Sequence, residues 1–124
     1  MSMVLTEEQS MLQESAAEFF TRNAAIAEFR QLRESPGQLP EGHLDALVEL
    51  GWTGIMVPEE KGGLGFGLSG LSLIAIEAGR NLTVTPVVTS SAIAVNALLQ
   101  CEASTTRDSL LEELACAKEC FAEV

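Results

Sequence analysis

Apolar residues recur at helical spacing along most of this chain, and polar residues occupy the positions between them. The clearest repeat follows Thr6, which forms a capping box with Gln9 at the start of a helix. The apolar face behind this cap comprises Leu12, Ala16, Phe19 and Phe20. The pattern predicts a first helix that runs to about residue 29 and precedes a turn at Ser35-Pro36-Gly37.

Four more helices are predicted from the same spacing. The second starts near Pro40, which suits a first turn, and Gly51 is its natural end. The third starts at about Leu68. A fourth includes Ala92 to Leu99, and the last follows Ser104-Thr105-Thr106. The core stripe of the third helix comprises Leu71, Ile74, Ala75, Ala78 and Leu82.

The segments between these helices give a weaker signal. WTGIMV, residues 52–57, could be a short strand or an extended loop, and periodicity does not decide between them. In the β-branched stretch NLTVTPVV, Pro86 argues against a strand. We therefore predict an all-α fold, a bundle of about five to six helices that forms one domain over residues 1–124.

Glycine is concentrated in one part of the chain, because seven of the ten glycines lie between Gly51 and Gly70. The cluster could be a phosphate cradle, a flexible linker or a shaped loop between helices. The spacing Gly65-x-Gly67-x-x-Gly70 satisfies the dinucleotide-binding pattern, but no strand directly precedes it and no acidic residue follows at the required distance. Large apolar residues alternate with the glycines, which argues against a linker. A tightly shaped loop is the interpretation that remains.

Charge and composition restrict the function classes. The chain has 18 acidic and 7 basic residues among 124, a formal net charge of −11, which argues against binding to nucleic acid. Glu77 and Arg80 interrupt the best apolar run, so no membrane span is predicted. The N-terminus is acidic rather than basic, unlike a secretory or mitochondrial leader. We expect a cytoplasmic, bacterial protein.

The cysteines, the single histidine and the single tryptophan are the isolated candidates for a chemical role. The three cysteines, Cys101, Cys116 and Cys120, have no metal-binding spacing, so reduced and partly buried thiols are expected, with no metal site. His43 is expected to face solvent, and Trp52 to pack in the core or at an interface.

One longer string carries more information than any of these residues. GWTGIMVPEEKGGLG, from Gly51 to Gly65, resembles the N-terminal helical domain of the flavin-dependent acyl-CoA dehydrogenases, where an "(E)LGW-GI-VPEE-GGLG" pattern occurs. LTEEQSMLQESAAEFF resembles the opening helix of that domain, and IEAGRNL resembles its "EELGR-L" helix end. The last 22 residues, ASTTRDSLLEELACAKECFAEV, resemble the segment that leads into a middle β-domain. Lys61 departs from the pattern, since many members carry an aromatic residue there, and this leaves the substrate subgroup open.

The resemblance implies a fold and a reaction. Members have a helical N-terminal domain, a β-barrel-like middle domain and a C-terminal four-helix bundle, and this chain covers only the first. They use FAD to convert an acyl-CoA thioester to the trans-2-enoyl-CoA and pass electrons to an electron-transfer flavoprotein or another acceptor. The catalytic Glu and most FAD contacts lie in the other domains, so no catalytic residue is assigned here and no cofactor-binding residue is identified. Family members are homo- or hetero-oligomers.

The resemblance also implies a place for substrate. In similar enzymes the acyl chain passes the start of the helix after the "LGR" turn, which corresponds here to Thr85 to Ile93. The residues expected to face the acyl group are Pro86, Thr89, Ser90 and Ile93. Their small size would leave room for a branched or bulky acyl chain. Alternatively, Thr89 and Ser90 only cap a helix and Ile93 is ordinary core.

Other functions remain open beside this one. Flavin monooxygenases and nitroalkane oxidase share the fold, and a partner subunit of a mixed oligomer could keep the fold without catalysis. The chain could also be a complete small helical protein that binds a partner. If the flavin site lies in other domains, residues 1–124 alone should fold as a helical domain and purify without colour. The intact mass of the native protein distinguishes a longer chain from one of 13.2 kDa.

Overall fold

The computed structural model describes residues 4–23, 26–35, 38–39 and 41–116. In these ranges the chain is helical and contains no β-strand. The α-helices are α1 (Glu7–Asn23), α2 (Ile26–Glu34), α3 (His43–Glu49), α4 (Gly67–Arg80), α5 (Val95–Gln100) and α6 (Thr105–Ala115). The predicted all-α class is therefore confirmed.

Helix ends follow local sequence signals. The capping box at the start of α1 is present, because the Thr6 N–H donates to Gln9 Oε1 at 3.0 Å and the Gln9 N–H donates to Thr6 Oγ1 at 3.2 Å. The side chain of Ser104 caps α6 by accepting from the Arg107 N–H at 3.1 Å. Gly51 ends α3 in the left-handed region, at φ 75°, as predicted.

Two helix boundaries differ from the prediction. The segment expected as one helix to about residue 29 forms α1 and α2, and residues 24–25 between them lie outside the described part. The second predicted helix starts at His43, after Gly42 at φ 74°, and Pro40 also lies outside the described part. WTGIMV resolves as a 3₁₀ turn, Trp52–Gly54, followed by irregular chain, and is therefore not a strand.

The main core lies where α1 packs against α4. Trp52 is 2% exposed, and its ring lies 5.3 Å from that of Phe19 and 5.7 Å from that of Phe20, so its predicted core position is confirmed. The Phe19 and Trp52 rings meet edge to face, a favourable arrangement for aromatic side chains. The other members of this core are Leu12, Ala16, Leu47, Ile55, Leu71, Leu73, Ile74, Ala78 and Val87.

A second, smaller core connects the final helices to the middle of the chain. Its buried members are Val57, Val95, Leu111 and Leu114. Leu111 and Leu114 are the apolar side of α6, which packs on α5 and on the 3₁₀ turns Trp52–Gly54 and Glu59–Lys61. The residues on both sides of the glycine cluster are thus held between the two cores.

Three predictions about solvent exposure were wrong. His43 is buried, at 5% exposure, because it opens α3 directly opposite Phe19, with ring centroids 6.1 Å apart. Cys101 and Cys116 are exposed free thiols rather than partly buried ones, and Cys120 lies outside the described residues. Leu82, predicted as part of the α4 core stripe, lies past the end of the helix and is half exposed.

Candidate functional site

The glycine-rich turn, residues 51–67, is closed by hydrogen bonds within its own backbone. The N–H groups of Leu64, Gly65 and Phe66 donate, each at 2.9 Å, to carbonyl groups of the preceding segment. The acceptors are Gly54, Val57 and Ile55, respectively. Because a phosphate cradle needs free N–H groups, these three cannot form one in this conformation. The shaped-loop interpretation is confirmed.

Close backbone approach explains the glycine at position 63. A Cβ on Gly63 would overlap the carbonyl oxygen and carbon of Val57. A Cβ on Gly54 would lie 3.0 Å from that of Ala115 in α6 and 3.3 Å from the Cα of Gly63. The turn thus packs backbone against backbone, at distances that side chains would prevent.

A second irregular region begins where α4 ends. The Thr83 N–H donates to the Ala78 carbonyl at 3.0 Å, and the Leu82 N–H donates to the Gly79 carbonyl at 3.2 Å. These two bonds form a Schellman motif, in which the C′ residue takes the left-handed conformation and is usually glycine. Here that residue is Leu82, at φ 51°. A left-handed leucine costs about 1–2 kcal/mol, so its presence requires a reason other than helix termination.

The last turn of α4 also carries a buried carboxylate. Glu77 is 4% exposed, and its Oε1 accepts from Arg80 Nη1 at 2.9 Å. Arg80 is largely exposed, and the two residues are neighbours on one helix. The ion pair is therefore local to α4, and the side chain of Arg80 lies largely at the surface.

After Leu82 the chain enters a π-helical segment, Val87–Ala94, that continues directly into α5. The Ser90 N–H donates to the Pro86 carbonyl at 2.8 Å where the segment begins. At its end the Val95 N–H donates to the carbonyl of Ser90, five residues back. Such wide turns are rare and occur frequently at functional sites, so this segment is the candidate for function.

The four predicted substrate residues all lie in or next to this segment, but in different environments. Pro86 and Ser90 are buried, and Thr89 is half-buried, with its hydroxyl donating to the Pro86 carbonyl at 3.2 Å. Ile93 is 63% exposed, so the alternative that it is ordinary core is wrong. Thr89 lies inside the segment, and its hydroxyl donates backward to a carbonyl instead of accepting from a following N–H, so it does not cap a helix as the structural alternative expected.

Four apolar side chains on and before the π-helical segment are exposed, and we refer to them together as the outer apolar strip. Its members are Leu82, Val84, Val88 and Ile93. Of these four residues the sequence indicated only Ile93 as a substrate residue, and it placed Leu82 on the core stripe of the third predicted helix. The hydroxyl oxygens of Thr83 and Thr85, between these apolar residues, are buried and have no hydrogen-bond partner. Both features are unusual for a surface that faces only water.

Most Lys and Arg side chains among the described residues are paired with a carboxylate. Arg22, Lys61, Arg80 and Arg107 each form an ion pair with a carboxylate. Hydrogen bonds from Lys61, and next from Arg107, lower the pKa of Asp108 below its ordinary value of 3.8. Lys61, which departs from the family pattern, thus joins the glycine-rich turn to α6 at 3.0 Å.

No metal cluster and no membrane-spanning helix occur in the part of the chain that the structure describes. No group of three or more His, Cys, Asp or Glu side chains is arranged to hold a metal ion there. No helix in those ranges has the length and apolar content needed to cross a membrane.

Comparison with known families gives the class of protein to which this site belongs. Residues 6–118 match the family model described as "Acyl-CoA dehydrogenase, N-terminal domain". Because the match extends over nearly the whole chain, the chain belongs to the acyl-CoA dehydrogenase N-terminal domain family. Searches among curated proteins and among solved structures returned no match.

Proposed function

We propose that this chain is the N-terminal domain of an FAD-dependent acyl-CoA dehydrogenase and supplies one wall of its acyl-binding pocket. The reaction is the α,β-dehydrogenation of an acyl-CoA thioester to the trans-2-enoyl-CoA. The observation that carries the proposal is the outer apolar strip. It lies on the segment where the family resemblance expects the acyl chain, and the family match includes that segment.

The glycine-rich turn does not fit an FAD site. Its N–H groups at residues 64–66 are already bonded, and its one cation, Lys61, is paired with Asp108. A flavin diphosphate would therefore need donors from outside this turn. We propose that the flavin site, the catalytic base and the contact with an electron-transfer flavoprotein or other acceptor belong to further domains of an oligomeric, cytoplasmic enzyme.

The contribution of this domain is shape rather than catalysis. The side chains of Ile93 and Val88 are exposed, whereas Ser90 and Pro86 are buried. Apolar walls select acyl chains by the methylene groups that fit, a discrimination of roughly 10–200-fold per group. Ile93 is thus the leading acyl-contact residue of the four, and Thr89, half-buried, is the second.

The first test is whether the protein, expressed from its complete reading frame, is a yellow flavoprotein that oxidises acyl-CoA thioesters with a dye acceptor. Activity on acyl-CoA supports the proposal. Flavin-dependent oxygen consumption with hydroxylated product would instead indicate a same-fold monooxygenase. A colourless protein that copurifies with a flavin-containing partner would indicate the non-catalytic subunit.

The second test addresses the wall. Ile93→Trp should raise KM for long or branched acyl-CoA substrates at least about tenfold and leave that for the shortest substrate nearly unchanged. Ile76→Trp is the matched control, because Ile76 is also an exposed isoleucine but lies on α4 outside the strip. Equal KM changes for all substrates, or the same changes in the control, would contradict the wall assignment.

A further inference from the structure

We propose that Ser91 is a positioning residue whose hydrogen bond fixes the π-helical register of Val87–Ala94, and that this register sets the shape of the outer apolar strip. The selection of acyl shape that follows from it rests on the proposed function. The register itself does not, and it can be tested separately.

The strip depends on the wide turn. Val88 and Ile93 are 48% and 63% exposed and lie five residues apart. On an α-helix, residues five apart point about 140° away from each other. In a π-helix the bonding from residue i to i+5 widens each turn, so residues five apart are separated by slightly more than one turn and lie on nearly the same side. Only the π register therefore places Val88 and Ile93 together.

A chain of buried hydrogen bonds holds this register. Ser91 is 1% exposed, and its hydroxyl donates to the Thr53 carbonyl at 3.1 Å, across 38 residues of sequence. The Thr53 hydroxyl donates in turn to the Ala115 carbonyl at 2.8 Å. The π-helical segment is thus tied through the Trp52–Gly54 turn to the end of α6.

Local sequence does not fix the register. The residues of VVTSSAIA include β-branched and hydroxyl side chains, which have only modest helix propensity and no preference for a wide turn. If the segment tightened to an α-helix, the Ser91 side chain would rotate away from Thr53. Two buried polar groups would then lose their partners, which strongly disfavours that register. Ser91→Ala removes one of these two polar groups, so the α-helical register becomes less unfavourable relative to the π register.

The register can be measured without catalysis, in the full-length protein. The double variant Val88→His/Ile93→His should bind Cu²⁺ at least about tenfold more tightly than the single variant Val88→His, because only the double variant has two neighbouring imidazoles. All other metal-binding groups are the same in the two variants. Adding Ser91→Ala should remove most of this gain. An unchanged gain in the triple variant, or no gain in the double variant, would overturn the proposal.

The second readout is substrate selection. Ser91→Ala should change the KM ratio between a branched and a straight acyl-CoA at least about tenfold, with kcat for the better substrate and flavin content retained. Ser72→Ala is the control, because the exposed Ser72 hydroxyl bonds only within α4, to the Ser69 carbonyl at 2.7 Å. A lower thermal midpoint with an unchanged KM ratio would make Ser91 merely structural.

Two safeguards keep the outcomes separate. If Ser91→Ala does not fold, Ser91→Thr keeps the hydroxyl donor, and it should keep most of the Cu²⁺ gain. Loss of the gain in that variant would count against the role of the hydroxyl. If the wild-type protein oxidises no acyl-CoA but the Cu²⁺ result holds, the proposed function fails while the register assignment stands.

Discussion

Within the described residues, the glycine-rich turn, residues 51–67, and the π-helical segment, Val87–Ala94, are two long departures from α-helical geometry. In the first, the conformation depends on close packing of backbone against backbone, because Gly63 has room only for a hydrogen beside Val57. In the second, the conformation depends on a side-chain hydrogen bond to a residue far away in the sequence, from Ser91 to Thr53. The turn is therefore specified by local sterics and the segment by tertiary contact.

The difference separates stability from function. The turn lies between the two cores, and its substitutions should act mainly on folding. The π-helical segment presents the outer apolar strip, and its substitutions should act on the shape of that surface. The left-handed Leu82, itself a member of the strip, fits this division, since strain is retained where a surface has a use.

The largest expected effect is that of Gly63→Ala in the turn. The added methyl group would collide with backbone, which cannot move away as a side chain could, so the free energy of unfolding should fall by about 3 kcal/mol or more. Chemical denaturation followed by circular dichroism measures this change. Gly79→Ala is the control, because Gly79 lies in α4 with open space around it. Alanine at this position should raise the free energy of unfolding by about 0.5–1 kcal/mol. A stable Gly63→Ala protein would show that the backbone approach is not needed.

A smaller effect is expected where the two regions meet, at Thr53. Thr53→Val keeps the shape but removes the hydroxyl that donates to the Ala115 carbonyl, and it should cost about 1–2 kcal/mol of stability. Thr53→Ser retains the donor and should keep most of the bond. If the serine variant is the less stable of the two, the methyl group rather than the hydroxyl makes the contribution.

Leu82→Gly should act in the opposite direction. Relief of the left-handed strain should raise the free energy of unfolding by about 0.5–1 kcal/mol, after the entropy cost of glycine. Leu68→Gly removes a similarly exposed leucine from the ordinary helical conformation of α4, and it should destabilise by about the same amount. Loss of stability in both variants would show that Leu82 is not strained. The pocket-wall proposal adds that Leu82→Gly raises KM for long acyl-CoA substrates.

The smallest effect concerns the exposed ion pair at the edge of the turn. The pKa of Asp108 is lowered in the folded protein, so its pairing with Lys61 stabilises the fold above the ordinary pKa of 3.8 and is lost as pH falls through the folded pKa. Asp108→Asn should therefore reduce stability at pH 7 and converge with wild type under acid conditions. Thermal midpoints between pH 7 and pH 3 would measure the convergence. A constant difference across that range would exclude the ion pair as its source.

Short-range signals predicted the helices well. The capping box of Thr6 and Gln9, the cap at Ser104 and the left-handed Gly51 each involve bonds or torsions within a few residues, which local sequence can encode. The string from Gly51 to Gly65 also indicated the family, which the match to residues 6–118 confirmed. The shaped loop followed from the same glycines.

The candidate site was only partly predictable. Ile93 was named and is exposed, whereas Pro86 and Ser90 are buried, and Val88 was missed. An α-helical reading of this stretch would place Val88 and Ile93 on different sides, so no pattern in the sequence joins them. The sequence therefore located the segment without determining which of its side chains face outward.

Sequence alone thus determined the all-α class, the helix ends at Thr6 and Gly51, and the family, because those features depend on spacing, caps and glycine sterics. The tertiary structure decided the burial of His43 against Phe19, the left-handed Leu82 and the π register held by Ser91. Each of these depends on how helix ends meet or on partners far away in the sequence. A bond such as that of Ser91 to Thr53 forms across 38 residues, and only the folded chain brings its two ends together.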